Sequence, residues 1–375
     1  MAEYLTNTTD LTKVASAIRE KGGTSGPLVY PDGFVTAIQA IQAGTELQII
    51  VNVTSGATVT ATKGSLSVSG TSVNGTCTLT VPEAGTWSVK ATLSGQTSDT
   101  KSVTFTDRYA MSFSLVSAVL NDNDWSKIKE VSDAGQGANY WSIGDRKAVT
   151  LNGTVGELSL SNFTTYAFII GFNHNASVEG TNRIHFQLAK TALTGGTDVC
   201  LCDSSYNSNV STTGYFSMNS SLTNSGGWAS SQMRTNICGT SLSSYSGTII
   251  AVIPAALRDV LKSVTKYTNN TGRSTAASAV TATTDYFFLL SEFEVFGSIS
   301  YGNTNEKNKQ AQYAYYSAGN SKIKYKHNGT STAAYWWLRS PYASSSKNFV
   351  LVSTNGTGGS SAVSKSLGFA PGFCV

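Results

Sequence analysis

The chain has 375 residues and is short of charge: Asp, Glu, Lys and Arg make up 13% of it, about half the roughly 25% usual in globular domains. Its net charge of +4 comes without the clustered basic stripe that nucleic acid requires, so no nucleic-acid partner is expected. No apolar run approaches the roughly 20 residues of a membrane-spanning helix, and no membrane insertion is expected. The five cysteines, Cys77, Cys200, Cys202, Cys238 and Cys374, are odd in number and irregular in spacing, which excludes a closed disulfide framework. Cys200 and Cys202 would share one face of a strand. No second pair or neighbouring histidines complete a metal site there, and buried, reduced thiols are the expectation. Only three histidines occur, His174, His185 and His327, and none has a metalloprotease-type partner. A nucleophile elbow and a phosphate loop are both absent, and Gly135 to Gly137 is too short for a dinucleotide fingerprint. Among Asp122, Asp124, Asp133 and Asp145 an acid–base pair could form, and Asn121 to Asp124 could hold calcium. They lack EF-hand spacing, and a solvated turn is the expectation. The chain therefore reads as non-enzymatic, with no catalytic residue, metal or cofactor. Neither a signal peptide at the N-terminus nor a lipidation box at the C-terminus is recognised. A protein acting outside the cell would then leave in a virus particle or by lysis.

What is present falls into three parts. Residues 1–45 predict a helical docking or oligomerisation segment. Asp10 is a good N-cap, Leu11, Val14, Ala15 and Ile18 recur at helical spacing, and Gly22 and Gly23 stop the helix. Pro31-Asp32-Gly33 makes a turn, and Phe34, Ala37, Ile38 and Ile41 form a second stripe ending at Gly44. Helices this short depend on tertiary packing, so the hairpin is expected to dock on sister copies or a larger assembly. Residues 46–107 alternate in short runs (Leu47 to Val53, Val59 and Ala61, Cys77 to Val81, Trp87 to Ala91, Val103 and Phe105) with glycines between them. That pattern predicts a small β-sandwich of immunoglobulin type acting as a spacer. Residues 108–375 are the largest part, with one expected helix from Pro254 through Val264 to Asn269 and otherwise short strands and long polar loops. The fold class is mainly β with some α.

The last 40 residues interleave two kinds of side chain. Trp336, Trp337, Leu338, Phe349, Val350, Val352, Phe369, Phe373 and Val375 read as a packed frame. Between them stand Tyr342, Ser344, Ser345, Ser346, Asn348, Leu351, Ser353, Asn355, Thr357, Ser360, Ser361, Ser364 and Ser366. Apart from Leu351 these are the residue types of a binding loop, where Tyr gives rigid amphipathic area and Ser and Asn give adaptable hydrogen bonds. Arg339 is expected to pair with a carboxylate or carbonyls beneath the loops. His174 and His185 could approach each other in a sheet, but polar core histidines are the expectation.

"YWWLRSP", a Ser/Asn-rich stretch and then "GFAPGFC" resemble the variable proteins of diversity-generating retroelements, as do "DWSKIKEVSDAGQGANYWSIGDRK", "FIIGFNHN", "LLSEFEVFG" and "NEKNKQAQYAYY" upstream. The resemblance covers most of residues 120–375. It implies a C-type-lectin fold with a variable region over 336–375, whose thirteen interleaved residues suit adenine-directed mutagenesis; Lys347 and Lys365 suit it less. The N-terminal hairpin separately resembles segments of phage tail-associated proteins. Together they imply a host-recognition protein in a phage tail, acting extracellularly on a bacterial surface protein or glycan. Other tail proteins would be held through the hairpin, in a homo-oligomer such as a trimer. A bacterial display protein or adhesin of the same fold, or a structural virion component, is the alternative. The calcium-lectin motifs EPN, QPD and WND are absent. The fold is shared with formylglycine-generating enzymes, but Cys200, Cys202 and Cys238 lack the frame that their copper chemistry implies.

Overall fold

The computed structural model describes residues 8–20, 26–40, 46–207 and 215–375. Strand covers 37% and helix 21%, so the chain is α+β with strand in excess, as its abundant short alternating runs imply. It divides into two compact units, 1–116 and 117–375.

In the first unit, α1 (Thr8–Glu20) and α2 (Asp32–Ala40) share a small core of Ala15, Ile18, Phe34 and Ala37. Asp10 lies in the first turn of α1 instead of capping it, because the helix already starts at Thr8. The expected stops at Gly22, Gly23 and Gly44, and Ile41, lie outside the described residues. Val14, Val35 and Ile38 are exposed, so each stripe is only partly covered. A separate sandwich follows: β1 (Gln48–Asn52), β2 (Thr58–Lys63), β3 (Leu66–Thr71), β4 (Thr76–Thr80), β5 (Gly85–Leu93), β6 (Gln96–Thr97), β7 (Lys101–Phe105) and β8 (Arg108–Ser112). One sheet runs β4-β1-β8 and the other β3-β2-β5, with β6 and β7 also on β5. Alternate residues face inward, as period-2 patterning requires. Ile49, Val51, Val59, Ala61, Trp87 and Val89 are all fully buried. The sandwich runs beyond the expected boundary at 107, since β8 pairs in parallel with β1 from Arg108 to Ser112.

A two-residue strand, β9 (Val116–Ser117), marks the junction. The second unit begins with α3 (Trp125–Asp133) and α4 (Gly137–Tyr140). The solvated turn expected around Asp122 to Asp133 is thus largely helix, with Trp125, Ile128 and Val131 inward. Next come β10 (Arg146–Val155), β11 (Leu158–Phe172), α5 (Ala176–Glu179), β12 (Ile184–Lys190) and β13 (Val199–Cys200). After α6 (Ile249–Val252), the helix expected from Pro254 lasts one turn, α7 (Ala255–Arg258), and Val264–Asn269 is a strand, β14. Val264, Thr265, Tyr267 and Thr268 favour the pleated conformation, and the strand turns Lys266 inward to buried carboxylates. The rest is β15 (Val280–Asp285), β16 (Phe287–Phe288), α8 (Glu292–Phe296), α9 (Ala314–Ser317), β17 (Lys324–Lys326), β18 (Gly329–Ala334), β19 (Trp336–Pro341), β20 (Asn348–Val352), β21 (Gly358–Ala362) and β22 (Gly372–Cys374). The main sheet has the order β10-β11-β12-β22-β16, so the C-terminal strand sits inside it. Phe373 on β22 stacks on Phe186 at 5.2 Å and meets Phe287 and Trp125. All nine frame residues, Trp336 to Val375, are buried. The five cysteines are free and buried.

Candidate functional site

The thirteen candidate residues lie on strands β20 and β21, in the loops 342–347 and 353–357 on either side of β20, and, for Ser364 and Ser366, just after β21. Strands β20 and β21 pair from Asn348↔Ala362 to Val352↔Gly358. Their connection, 353–357, closes on itself. Ser353 N donates to Thr357 O at 2.8 Å, and Asn355 Oδ1 accepts from the Thr357 hydroxyl at 2.8 Å. Gly356 sits there at φ +84°, open to glycine at little cost. Below the hairpin the chain turns so closely that a Cβ on Gly368 would stand 2.3 Å from Cys200 Sγ, so only glycine fits.

A buried ionic network anchors the sheet from beneath. Arg339 is fully buried on β19. It makes a two-pronged contact with Glu294, at 2.5 and 2.8 Å, and donates to Thr268 Oγ1 and Leu289 O. This is the carboxylate partner the sequence predicted for it. Burial opposes the Glu294 charge, but Arg339 and Lys266 outweigh it and hold its pKa well below the usual carboxylate range. Burial, with no cation bonded to it, pushes the Glu306 carboxyl up to about 7. His174 and His185 do meet, 5.5 Å between ring centres and both buried. Burial lowers His174 to about 3.

The donor atoms of His174, Glu179 and Glu294 lie within 4.8 Å of one another, the one such cluster among the described residues. Lys266 Nζ stands between the two carboxylates, 2.6 Å from Glu179 and 3.0 Å from Glu294. The ammonium takes the place of a cation, and Lys266 and Arg339 balance the two acids. The donor set does not call for a metal, and the cluster acts as a structural bolt.

Above this frame, Ser344, Ser346, Asn355 and Thr357 are exposed, and Tyr342, Ser345, Asn348, Ser353, Ser360 and Ser361 half-buried. Ser345 Oγ donates to Asn348 Oδ1, and Asn348 Nδ2 to Ser360 Oγ at 3.3 Å, which links loop to hairpin. Tyr342 sits edge-on to Tyr301 at 5.5 Å. Three of the thirteen candidates are not surface groups. Leu351 is 4% exposed, Ser364 2% and Ser366 0%. Ser366 Oγ donates to Asp203 at 2.7 Å, and Asp203 also accepts from the backbone of Ser205, Tyr215 and Phe216. Ser366 therefore holds Asp203, which in turn ties down Ser205, Tyr215 and Phe216, and is withdrawn from the ligand surface.

A groove of about 420 Å³ runs along the hairpin, lined by Ser353, Ser360, Ser361, Gly359 and Leu351 of the hairpin and by Asn207, Tyr335, Lys365 and Leu367. Its size lies within the roughly 300–1,000 Å³ of small-ligand sites. Leu351 keeps a role as its apolar floor. Tyr335 and Asn207 escaped the sequence reading, which considered Lys365 and left it out of the candidates. Tyr335 is the residue before the frame, and its position beside Trp336 was the available signal; Asn207 has none nearby in sequence. Asn224 was missed too. Its fully buried side-chain amide donates to Ser345 O at 2.7 Å and Asn348 O at 2.9 Å, and its backbone N–H donates to Ser346 O, so it clamps the 342–348 loop. A larger concavity of about 560 Å³ beside Trp125, Lys147 and Asp259 is lined by Asp124 and by none of the thirteen C-terminal candidates. Asp133 bonds Lys129 and Lys262, and Asp145 caps Ser142, so the four early aspartates do not converge.

Residues 204–375 match the family model described as a domain of unknown function (DUF6273). No curated protein matches the chain, and no solved structure matches it. The matched span contains the whole candidate face together with Asn224, Lys266, Glu294 and Arg339.

Proposed function

We propose that the chain is a non-enzymatic receptor-binding protein of a phage tail, whose C-type-lectin-like second unit presents a retroelement-diversified surface to a bacterial cell. One observation carries the reading: every frame residue of the C-terminal stretch is buried, while most of the interleaved Tyr, Ser, Asn and Thr residues are exposed or half-buried in the groove and the loops beside it. A rigid frame under exchangeable polar side chains is the division of labour a variable binding face needs. The main sheet, with β22 inserted between β12 and β16 and the small sheets as excursions from it, supports the lectin-type scaffold. The exposed Val14, Val35 and Ile38 of the hairpin support docking to tail proteins or sister copies. Several copies at a tail tip would multiply weak single-site binding.

Two experiments test this. Labelled protein is added to host cells with and without excess unlabelled chain; saturable, competable attachment is expected, and its absence contradicts the reading. The gene's neighbourhood is sequenced as well. A reverse transcriptase and a near-identical repeat that differs from codons 342–366 at adenines are expected, and a 3′ end that matches no template removes the diversification claim. Tail genes alongside favour the phage over a bacterial display protein.

A further inference from the structure

The net charge of +4 hides an uneven distribution. After Glu306 the chain carries no Asp or Glu, but seven lysines and Arg339. Arg339 is buried on Glu294, and Lys324 is buried too. Three lysines gather around the hairpin. Lys365 lines the groove. Lys347 is exposed at its loop end, where its carbonyl accepts from Val363 N. Lys326 lies 4.2 Å over the ring of Tyr206, whose hydroxyl accepts from the backbone of the groove residue Tyr335. None of the three has a carboxylate partner among the described residues. Asp203, bonded to Ser366, has both oxygens engaged. The groove lining holds Lys365 and no Asp or Glu.

We infer that the groove takes an anionic polysaccharide, a sugar chain bearing carboxylates. The inference rests on the binding reading above and narrows its ligand. The Lys365 ammonium in the groove, with Lys326 and Lys347 on the neighbouring elements, attracts negative charge and raises its local concentration. The remaining lining decides what carries that charge. The hydroxyls of Ser353, Ser360 and Ser361 and the amide of Asn207 both donate and accept hydrogen bonds. They match a partner rich in hydroxyls, whereas a phosphate backbone offers acceptors only. No exposed arginine joins them, although nucleic-acid faces depend on arginine as well as lysine. Tyr335 and Leu351 supply the apolar surface on which a sugar ring can lie.

The test uses the full chain, with polygalacturonate, alginate and hyaluronate as probes and neutral dextran and a single-stranded oligonucleotide as comparisons. Binding is followed by biolayer interferometry at rising NaCl. At least one acidic polysaccharide should bind, more weakly as salt screens the charges. K326Q/K365Q should weaken it at least about tenfold, the loss expected when two charge contacts near a ligand go. K90Q, an exposed lysine on the sandwich, should leave it unchanged. No binding to any acidic probe, equal binding to dextran, tighter binding to the oligonucleotide, or an equal loss in K90Q each overturns the assignment. Failure of the parent reading looks different, because the protein then does not attach to host cells at all. If it attaches and K326Q/K365Q attaches as well as wild type, the binding reading stands and the anionic ligand falls.

Discussion

Replacing Arg339 with Met removes a guanidinium that no water reaches and strands the groups around it. Four hydrogen bonds go: two to Glu294, one to Thr268 Oγ1 and one to Leu289 O. Removing one partner of a buried ion pair costs roughly 3–5 kcal/mol, because the other charge stays buried. Here Glu294 keeps Lys266 at 3.0 Å and the backbone N–H of Ser291 at 2.9 Å. The loss should therefore fall near the lower end, about 3 kcal/mol. Urea unfolding followed by tryptophan fluorescence is the assay. Trp125, Trp141, Trp228, Trp336 and Trp337 lie in the second unit and Trp87 alone in the first, so the signal reports mainly the unit that holds the pair. The companion variants are Glu294→Gln and the double change. The double variant should lose less than the two singles summed, by about 1–3 kcal/mol, the coupling expected for groups in one network. A loss under about 1 kcal/mol in Arg339→Met, or simple additivity, would refute the idea that this pair bolts β19 to the core.

Two further expectations follow from the same geometry. Asn224→Ala leaves the carbonyl of Ser345 without its donor and loosens the 342–348 loop; it should cost about 1–3 kcal/mol and speed amide exchange in that loop, read by mass spectrometry. Glu306 carries a carboxyl raised from 4.5 to about 7, so the folded state holds its proton more tightly than the unfolded chain does. The stability it contributes is present below pH 4.5 and is lost as the pH rises through about 7. Glu306→Gln keeps the neutral form, so its stability relative to wild type should rise between pH 5 and pH 8 in urea titrations; a constant difference would contradict the assignment.

The frame was legible because Trp and Phe placed among Ser and Gly have one physical destination, the core, and all nine arrived there. The hairpin, the alternating strands of the sandwich, the core burial of His174 and His185 and the buried thiols were readable for similar local reasons. The stretch after Pro254 was misread because apolar spacing alone does not separate a helix from a short turn followed by a β-branched strand. The decisive pull on Val264–Asn269 is the burial of Lys266 against Glu179 and Glu294, 87 and 28 residues away. Ser366 was misread for the same kind of reason. A serine in a Ser-rich stretch reads as surface unless its acceptor, Asp203, is known to lie beneath it, 163 residues back in the chain. The clamp at Asn224 and the groove residues Asn207 and Lys365 exist only once the second unit has folded. The thirteen candidates stand close together in the chain, but their division into rim, groove and buried support belongs to the tertiary structure.

The account's central claim is that frame and face do different jobs, and one paired measurement tests it. Attachment to host cells and the melting temperature are determined for Tyr342→Ala/Ser345→Ala/Asn355→Ala and, separately, for Trp337→Ala. Trp337 is fully buried, with its indole N–H on Phe216 O at 3.0 Å, and truncating such a residue costs roughly 3–5 kcal/mol. The prediction is that the surface set loses attachment with its melting temperature nearly unchanged, while Trp337→Ala melts well below wild type. Wild-type attachment by the surface set, together with loss of attachment on changing the 46–107 module, would contradict it and move the binding site to the other unit.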